Sequence, residues 1–185
     1  LVNPEYSDTC WDDTDLTLSW TMTGATNGSG FGTVTDSAFN VGVTTVTYTV
    51  TDPDGNSDDC SFTVTIVDVT DPSVGIEGCE DVTGVTSANN CTYTPGDIKD
   101  PVYSDACWDV TDLTITWTMT GATIGSGTGS VKGQSFNAGV TTVTYTVTDP
   151  DGNEATCDFT ITIIPFNPPQ FEAGCPPDVT GTTDD

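Results

Sequence analysis

Repetition constrains this chain of 185 residues more than its length does. The segment CWDDTDLTLSWTMTGATNGSG at Cys10 returns as CWDVTDLTITWTMTGATIGSG at Cys107, and FNVGVTTVTYTVTDPDGN at Phe39 returns as FNAGVTTVTYTVTDPDGN at Phe136, both after 97 residues. A period of that size is a whole domain, longer than a solenoid unit. The copies are out of phase with the chain ends. GCEDVTG at Gly78 precedes the second Cys-Trp, nothing like it precedes the first, and a related GCPPDVTG begins at Gly174. The phase predicts an incomplete first repeat over 1–68, a complete one over 69–165 and the start of a third over 166–185.

The same phase accounts for an odd cysteine count. The complete repeat carries Cys79, Cys91, Cys107 and Cys157, the first fragment carries only Cys10 and Cys60, and Cys175 copies Cys79. Cys175 is therefore expected to be orphaned by truncation, its partner lying past Asp185. Four cysteines per repeat with no His and no C-x-x-C spacing favour disulfides over zinc, and hence an oxidising, extracellular compartment.

Charge narrows the partners. With 28 acidic and 2 basic side chains the formal net charge is −26, which repels phosphate backbones and anionic bilayers, so no nucleic-acid partner is expected. No apolar run approaches the ~18 residues of a membrane-crossing helix, so no direct membrane insertion is expected of this stretch.

Strict alternation predicts the local structure. Leu16, Leu18, Trp20 and Met22 alternate with polar residues, as do Val46, Tyr48 and Val50, and then Cys60, Phe62, Val64 and Ile66. Period two with threonine on the wet face is the pattern of half-buried antiparallel strands. The clusters GATNGSG, DPDGN and GVTSANN read as turns. The expected fold is all-β: tandem immunoglobulin-like antiparallel β-sandwich repeats with about two disulfides each. Four cysteines allow three connectivities. The position of the strands favours Cys10–Cys60 and its copy Cys107–Cys157, joining an early element to a late one, with Cys79–Cys91 closing a shorter loop. In the chain-entropy view such bridges are worth roughly 4 and 3 kcal/mol. The stretches Val67–Ser73 and Ile164–Pro169, each with proline, read as stiff linkers between neighbouring repeats of the same chain.

These motifs carry a resemblance. Gly-Cys followed by Asp-Val-Thr, a second Cys a dozen residues on, Ser-Asp-x-Cys, F-N-x-G-x-T-T-V-T-Y-T-V-T-D-x-x-G-N, a last Cys and F-T-x-T-I together resemble the hyalin repeat (HYR) family. The resemblance implies an immunoglobulin-like fold and an adhesive or spacing role in extracellular proteins. Near-identical acidic, threonine-rich tandem copies are also similar to giant surface adhesins of gliding Bacteroidota exported by the type IX pathway. Such a parent implies a cell-surface stalk and an adhesive ligand at its distal tip.

No catalytic constellation emerges. The chain has no His or Arg, and Lys99 and Lys132 align with Val2 and Thr35, so neither belongs to a repeated site. A non-enzymatic role is expected. Calcium is the one cofactor the carboxylates suggest, because it takes six to eight oxygen ligands and suits junctions between extracellular modules. The expected set is Asp68, Asp71, Asp105, Asp109, Asp149, Asp151 and Asn153, with Asp8, Asp12, Asp52, Asp54 and Asn56 as the first repeat's equivalents. The same Asp-Pro-Asp-Gly-Asn string also makes a good turn without metal. Three functions compete: a spacer, a directly adhesive repeat that binds glycans or surfaces, and a filament subunit. Near-identity of the copies through the expected core favours the spacer.

Overall fold

The computed structural model describes residues 1–87 and 90–167. The chain divides into two compact units, one of Leu1–Thr70 with Pro150–Asn153, the other of Asp71–Asp149 with the chain from Glu154 onward. The described residues form thirteen strands and no helix.

In the first unit the alternating segments are β1 (Thr17–Gly24), β3 (Gly42–Thr51) and β4 (Ser57–Ile66), with β2 (Gly28–Phe31) between them. They make one antiparallel sheet in the order β2-β1-β3-β4. Leu18, Met22, Val46 and Tyr48 are buried with Val34, a loop residue that folds across the same face. Period-two burial of these side chains is what fixes register, since a one-residue slip would turn them all to water.

The second unit repeats this frame and adds to it. Its strands are β5 (Ser73–Val74), β6 (Val82–Val85), β7 (Thr92–Tyr93), β8 (Tyr103–Ser104), β9 (Thr114–Gly121), β10 (Gly125–Thr128), β11 (Phe136–Asn137), β12 (Gly139–Thr148) and β13 (Glu154–Ile164). The main sheet runs β10-β9-β12-β13-β6, and two short ladders, β11-β7 and β5-β8, stand apart from it to give a sandwich-like all-β fold. The core gathers Trp117, Met119, Val143, Tyr145, Phe159, Ile161 and Ile163 from the sheet with Val82, Ile98, Val131 and Phe136 from the elements around it.

Three features differ from the sequence expectation. First, the Gly-rich clusters are not only turns: Gly28–Phe31 and Gly125–Thr128 are edge strands paired to β1 and β9. The reason is the neighbouring tryptophan. A Cβ at Gly127 would lie 2.5 Å from the Trp117 ring, and one at Gly30 would lie 2.7 Å from the Trp20 ring, so glycine lets each indole lie flat across the strand. Second, the sheet is mixed, because β6 runs parallel to β13.

Third, the cysteines pair differently. The one disulfide among the described residues joins Cys79 to Cys157, in place of Cys79–Cys91 and Cys107–Cys157. The parallel register explains it: Val82 lies opposite Ile161, so the chain three residues earlier passes Cys157. Both cysteines are half-buried against the core. Cys10, Cys60 and Cys91 are exposed and unbridged, so Cys10–Cys60 does not form. Cys107 is exposed and is not the partner of Cys157. Cys175 and most of the expected third repeat lie outside the described residues.

Candidate functional site

One set of polar side chains does the same structural work in both units. Asp8 Oδ1 accepts hydrogen bonds from the backbone N–H groups of Cys10 (2.7 Å) and Trp11 (3.1 Å). Asp105 Oδ1 does the same for Cys107 (2.7 Å) and Trp108 (3.1 Å). The buried Tyr48 hydroxyl accepts from Val34 N–H at 3.1 Å, and Tyr145 accepts from Val131 N–H at 3.0 Å. Asn40 donates its side-chain amide to Ala25 O and its backbone N–H to Thr26 Oγ1, and Asn137 repeats both bonds with Ala122 and Thr123. Thr44 and Thr141, fully buried, accept from the backbone N–H of Thr26 and Thr123. Each bond answers an otherwise orphaned backbone donor or acceptor where a loop crosses the sheet. The translation by 97 residues thus holds for side-chain chemistry as well as for strands.

The expected calcium ligands divide between the units. In the first, Asp151 Oδ2 accepts from Asp68 N–H at 2.9 Å, the Asn153 side-chain amide donates to Asp68 O at 3.1 Å, and Asp68 Oδ1 accepts from Thr70 N–H and Oγ1. Asp68 is buried, whereas Asp151 is exposed. In the second, Asp149 is buried, Asp71 and Asp109 are exposed, and Asp105 is the loop cap just described. Asp52 closes its own hairpin: Oδ1 accepts from Asn56 N–H and Oδ2 from the Asn56 side-chain amide, both at 2.8 Å. These bonds are the turn chemistry that Asp-Pro-Asp-Gly-Asn supplies by itself.

Asp52 and Asp81 have lowered pKa values, and in each case the main cause is a hydrogen bond that builds the fold. The Asn56 side-chain amide holds Asp52 below the ordinary aspartate value. The Thr160 backbone N–H, donating to Asp81 Oδ1 at 2.7 Å, does the same for Asp81 and pins the start of β6 to β13. Lowered values keep these groups ionised, the opposite of the raised value a general acid needs. The lysines make exposed pairs, Lys99 with Glu80 at 3.0 Å and Lys132 with Asp100 at 4.0 Å, a kind of contact that contributes little. Sequence reading missed the roles of Tyr48, Tyr145, Asn40, Asn137 and Asp81. The copied Asn in F-N-x-G was the available signal, since nothing in strand alternation calls for a polar residue there.

Comparison with known proteins agrees with this frame. The chain is 35% identical over 158 residues to hyalin of Strongylocentrotus purpuratus, covering 79% of this chain and 12% of that protein. It is 32% identical over 149 residues to the sushi, von Willebrand factor type A, EGF and pentraxin domain-containing protein 1 of Rattus norvegicus, covering 77% of this chain and 4% of the relative. It is 30% identical over 155 residues to the serine-rich adhesin for platelets of Staphylococcus aureus strain MRSA252, covering 82% and 11%. The chain thus spans only a small part of the curated relatives it matches. The HYR domain profile matches residues 4–66 and again 99–163, which include both hairpins and both Tyr-capped loops, and the chain belongs to the HYR domain family.

Proposed function

We propose that these repeats are non-catalytic spacer modules in the stalk of an extracellular cell-surface adhesin, with neighbouring repeats of the same chain as their immediate partners. The observation that carries this reading is the residue-for-residue copying of the internal hydrogen-bond network at a spacing of 97 residues. A spacer needs each unit to fold alike and asks nothing more of its surface. A gliding-motility adhesin is the specific parent that the style of the repeats suggests. Direct adhesion is the competing reading, favoured by the relative named as an adhesin for platelets. Passing the chain over immobilised platelets and a glycan array separates the two. The spacer reading expects no saturable binding, and saturable binding by the chain alone would replace it with the adhesive one.

Calcium is proposed as a ligand of the first unit, because Asp68, Asp151 and Asn153 converge there through bonds of 2.9 and 3.1 Å. Calcium at a hundredfold above its Kd would add about 2.7 kcal/mol and raise the Tm of that unit by several degrees. An identical melt in calcium and in excess chelator would remove calcium from the account.

A further inference from the structure

The bridge Cys79–Cys157 takes two of the four cysteines of the complete repeat, and the second unit holds the other two at opposite ends. Its main sheet has a leading end, where Thr148 faces Thr114 and Glu154, and a trailing end, where Gly139 faces Ile163. Cys91 belongs to the trailing end. Its carbonyl accepts from the Ala138 N–H at 2.9 Å, one residue before β12 begins, and the ladder of β7 with β11 continues from it. The chain leaves the sheet at that same end, with Thr86 N–H donating to Ile164 O and Phe166 N–H to Thr86 Oγ1.

Cys107 belongs to the leading end. β8 runs antiparallel to β5 with Ser104 opposite Ser73, so the chain approaching Cys107 retraces the first residues of the unit towards its start. Beyond Cys107 the chain enters β9 at Thr114, opposite Thr148, and the Asp105 cap holds the thiol's own backbone between these two anchors. The ten residues of β12 separate the two ends by about 30 Å of extended strand, whereas a disulfide needs Cα atoms within about 7 Å. Of the three connectivities, the observed bridge selects the one that leaves Cys91 to Cys107, and distance closes that pairing to a single unit. Both cysteines are exposed.

We propose that Cys91 of one repeat and the copy of Cys107 in the following repeat form a disulfide across each junction of the array, an inference that rests on reading these units as consecutive repeats of one stalk. The connecting chain is short: β5 begins at Ser73, seven residues after β4 ends at Ile66, a tether of no more than ~25 Å. It brings the trailing-end cysteine of one repeat within reach of the leading-end cysteine of the next. Residues 1–185 hold Cys91 in one repeat, and the copy of Cys107 that follows it falls past Asp185, so the pair is not contained in them. Cys10, which copies Cys107, is the position that takes the bridge from the repeat before it. One disulfide then closes each unit and one joins it to its neighbour, so that all four cysteines are used and tension passes the linkers through covalent bonds. Closure uses a disulfide oxidant such as oxidised glutathione. Each thiol gives up a proton, the two sulfurs join, and the two electrons reduce glutathione disulfide to two glutathiones.

The test lengthens the whole chain by one period, inserting a second copy of residues 69–165 after Pro165, with Cys10, Cys60 and Cys175 replaced by serine. In one version Cys107→Ser in the first copy and Cys91→Ser in the second leave Cys91 and the Cys107 that follows it. In the reversed version Cys91→Ser in the first copy and Cys107→Ser in the second leave the two thiols at the outer ends. After refolding in a glutathione redox buffer, mass-spectrometric mapping without reduction should find the Cys91–Cys107 bridge at least tenfold more often in the first version than in the reversed one. Closure of Cys79–Cys157 in both copies reports that the repeats have folded. The chain without the insertion should form no Cys91–Cys107 bridge. Cys91 and Cys107 left as thiols or glutathione adducts in the first version, equal bridging in the two versions, or bridging within the chain without the insertion would overturn the proposal. Platelet and glycan binding, which judges the spacer reading, does not enter this measurement.

Discussion

Replacing Cys79 with serine should lower the stability of the second unit by roughly 4 kcal/mol, while replacing Cys91 with serine should change it by less than about 0.5 kcal/mol. The first value follows from the loop that the bridge closes, Cys79 and Cys157 being 78 positions apart in sequence. Freeing that loop enlarges the unfolded ensemble far more than freeing a short one. The second follows from the exposure of Cys91 and its absence from the bridge. Urea titration of the two variants against the oxidised parent reads both numbers, and the parent under reducing conditions should match Cys79→Ser. A Cys79–Cys91 pairing makes the opposite prediction, equal losses in the two variants. The comparison therefore tests connectivity as well as energy.

Gly127→Val should cost the second unit about 2 kcal/mol, because a side chain there must displace the Trp117 indole from the core. The added Cβ would sit 2.5 Å from one ring atom and 2.8 Å from the next. Trp117 is itself enclosed between β10 and β12, opposite Gly127 on one side and Tyr145 on the other. The ring cannot swing out without exposing the residues it covers. For a domain of this size the loss corresponds to roughly 10 °C in Tm. Gly96→Ala is the matched control, since a Cβ at Gly96 meets nothing within 4 Å. It should melt with the parent. Gly30→Val tests the same contact in the first unit, where the approach to Trp20 is 2.7 Å.

Much of the frame was legible because period-two burial is a local signal. The alternation of Leu18, Trp20 and Met22 and of Val46, Tyr48 and Val50 marked β1 and β3, and the Asp-Pro-Asp-Gly-Asn turn marked the hairpins. What escaped was long-range. Gly28–Phe31 reads as a loop until the Trp20 ring above it is known, and the four-residue β6 has no recognisable period until β13 offers it a partner. The cysteine pairing failed for the same reason. A parallel strand from the start of the repeat set it, whereas the order of the antiparallel strands pointed Cys157 to Cys107 and left Cys79 to Cys91. Among the carboxylates, composition alone did not pick out the turn-makers. Asp8, Asp52 and Asp105 spend their oxygens on backbone and amide donors close by in sequence, which only the geometry reveals.

Pulling a single chain from its two ends, with and without reductant, tests most directly the claim that these are stapled structural repeats. The bridge shields the 78-residue span from Cys79 to Cys157, so under oxidising conditions the second unit should release little length. Reductant should add about 260 Å to the extension, at roughly 3.3–3.6 Å per freed residue, while the first unit, whose Cys10 and Cys60 are unbridged, should release its full length in both conditions. Two cooperative steps, one of them lengthened by reduction, are the predicted record. A featureless extension, or one that reductant leaves unchanged, would contradict it.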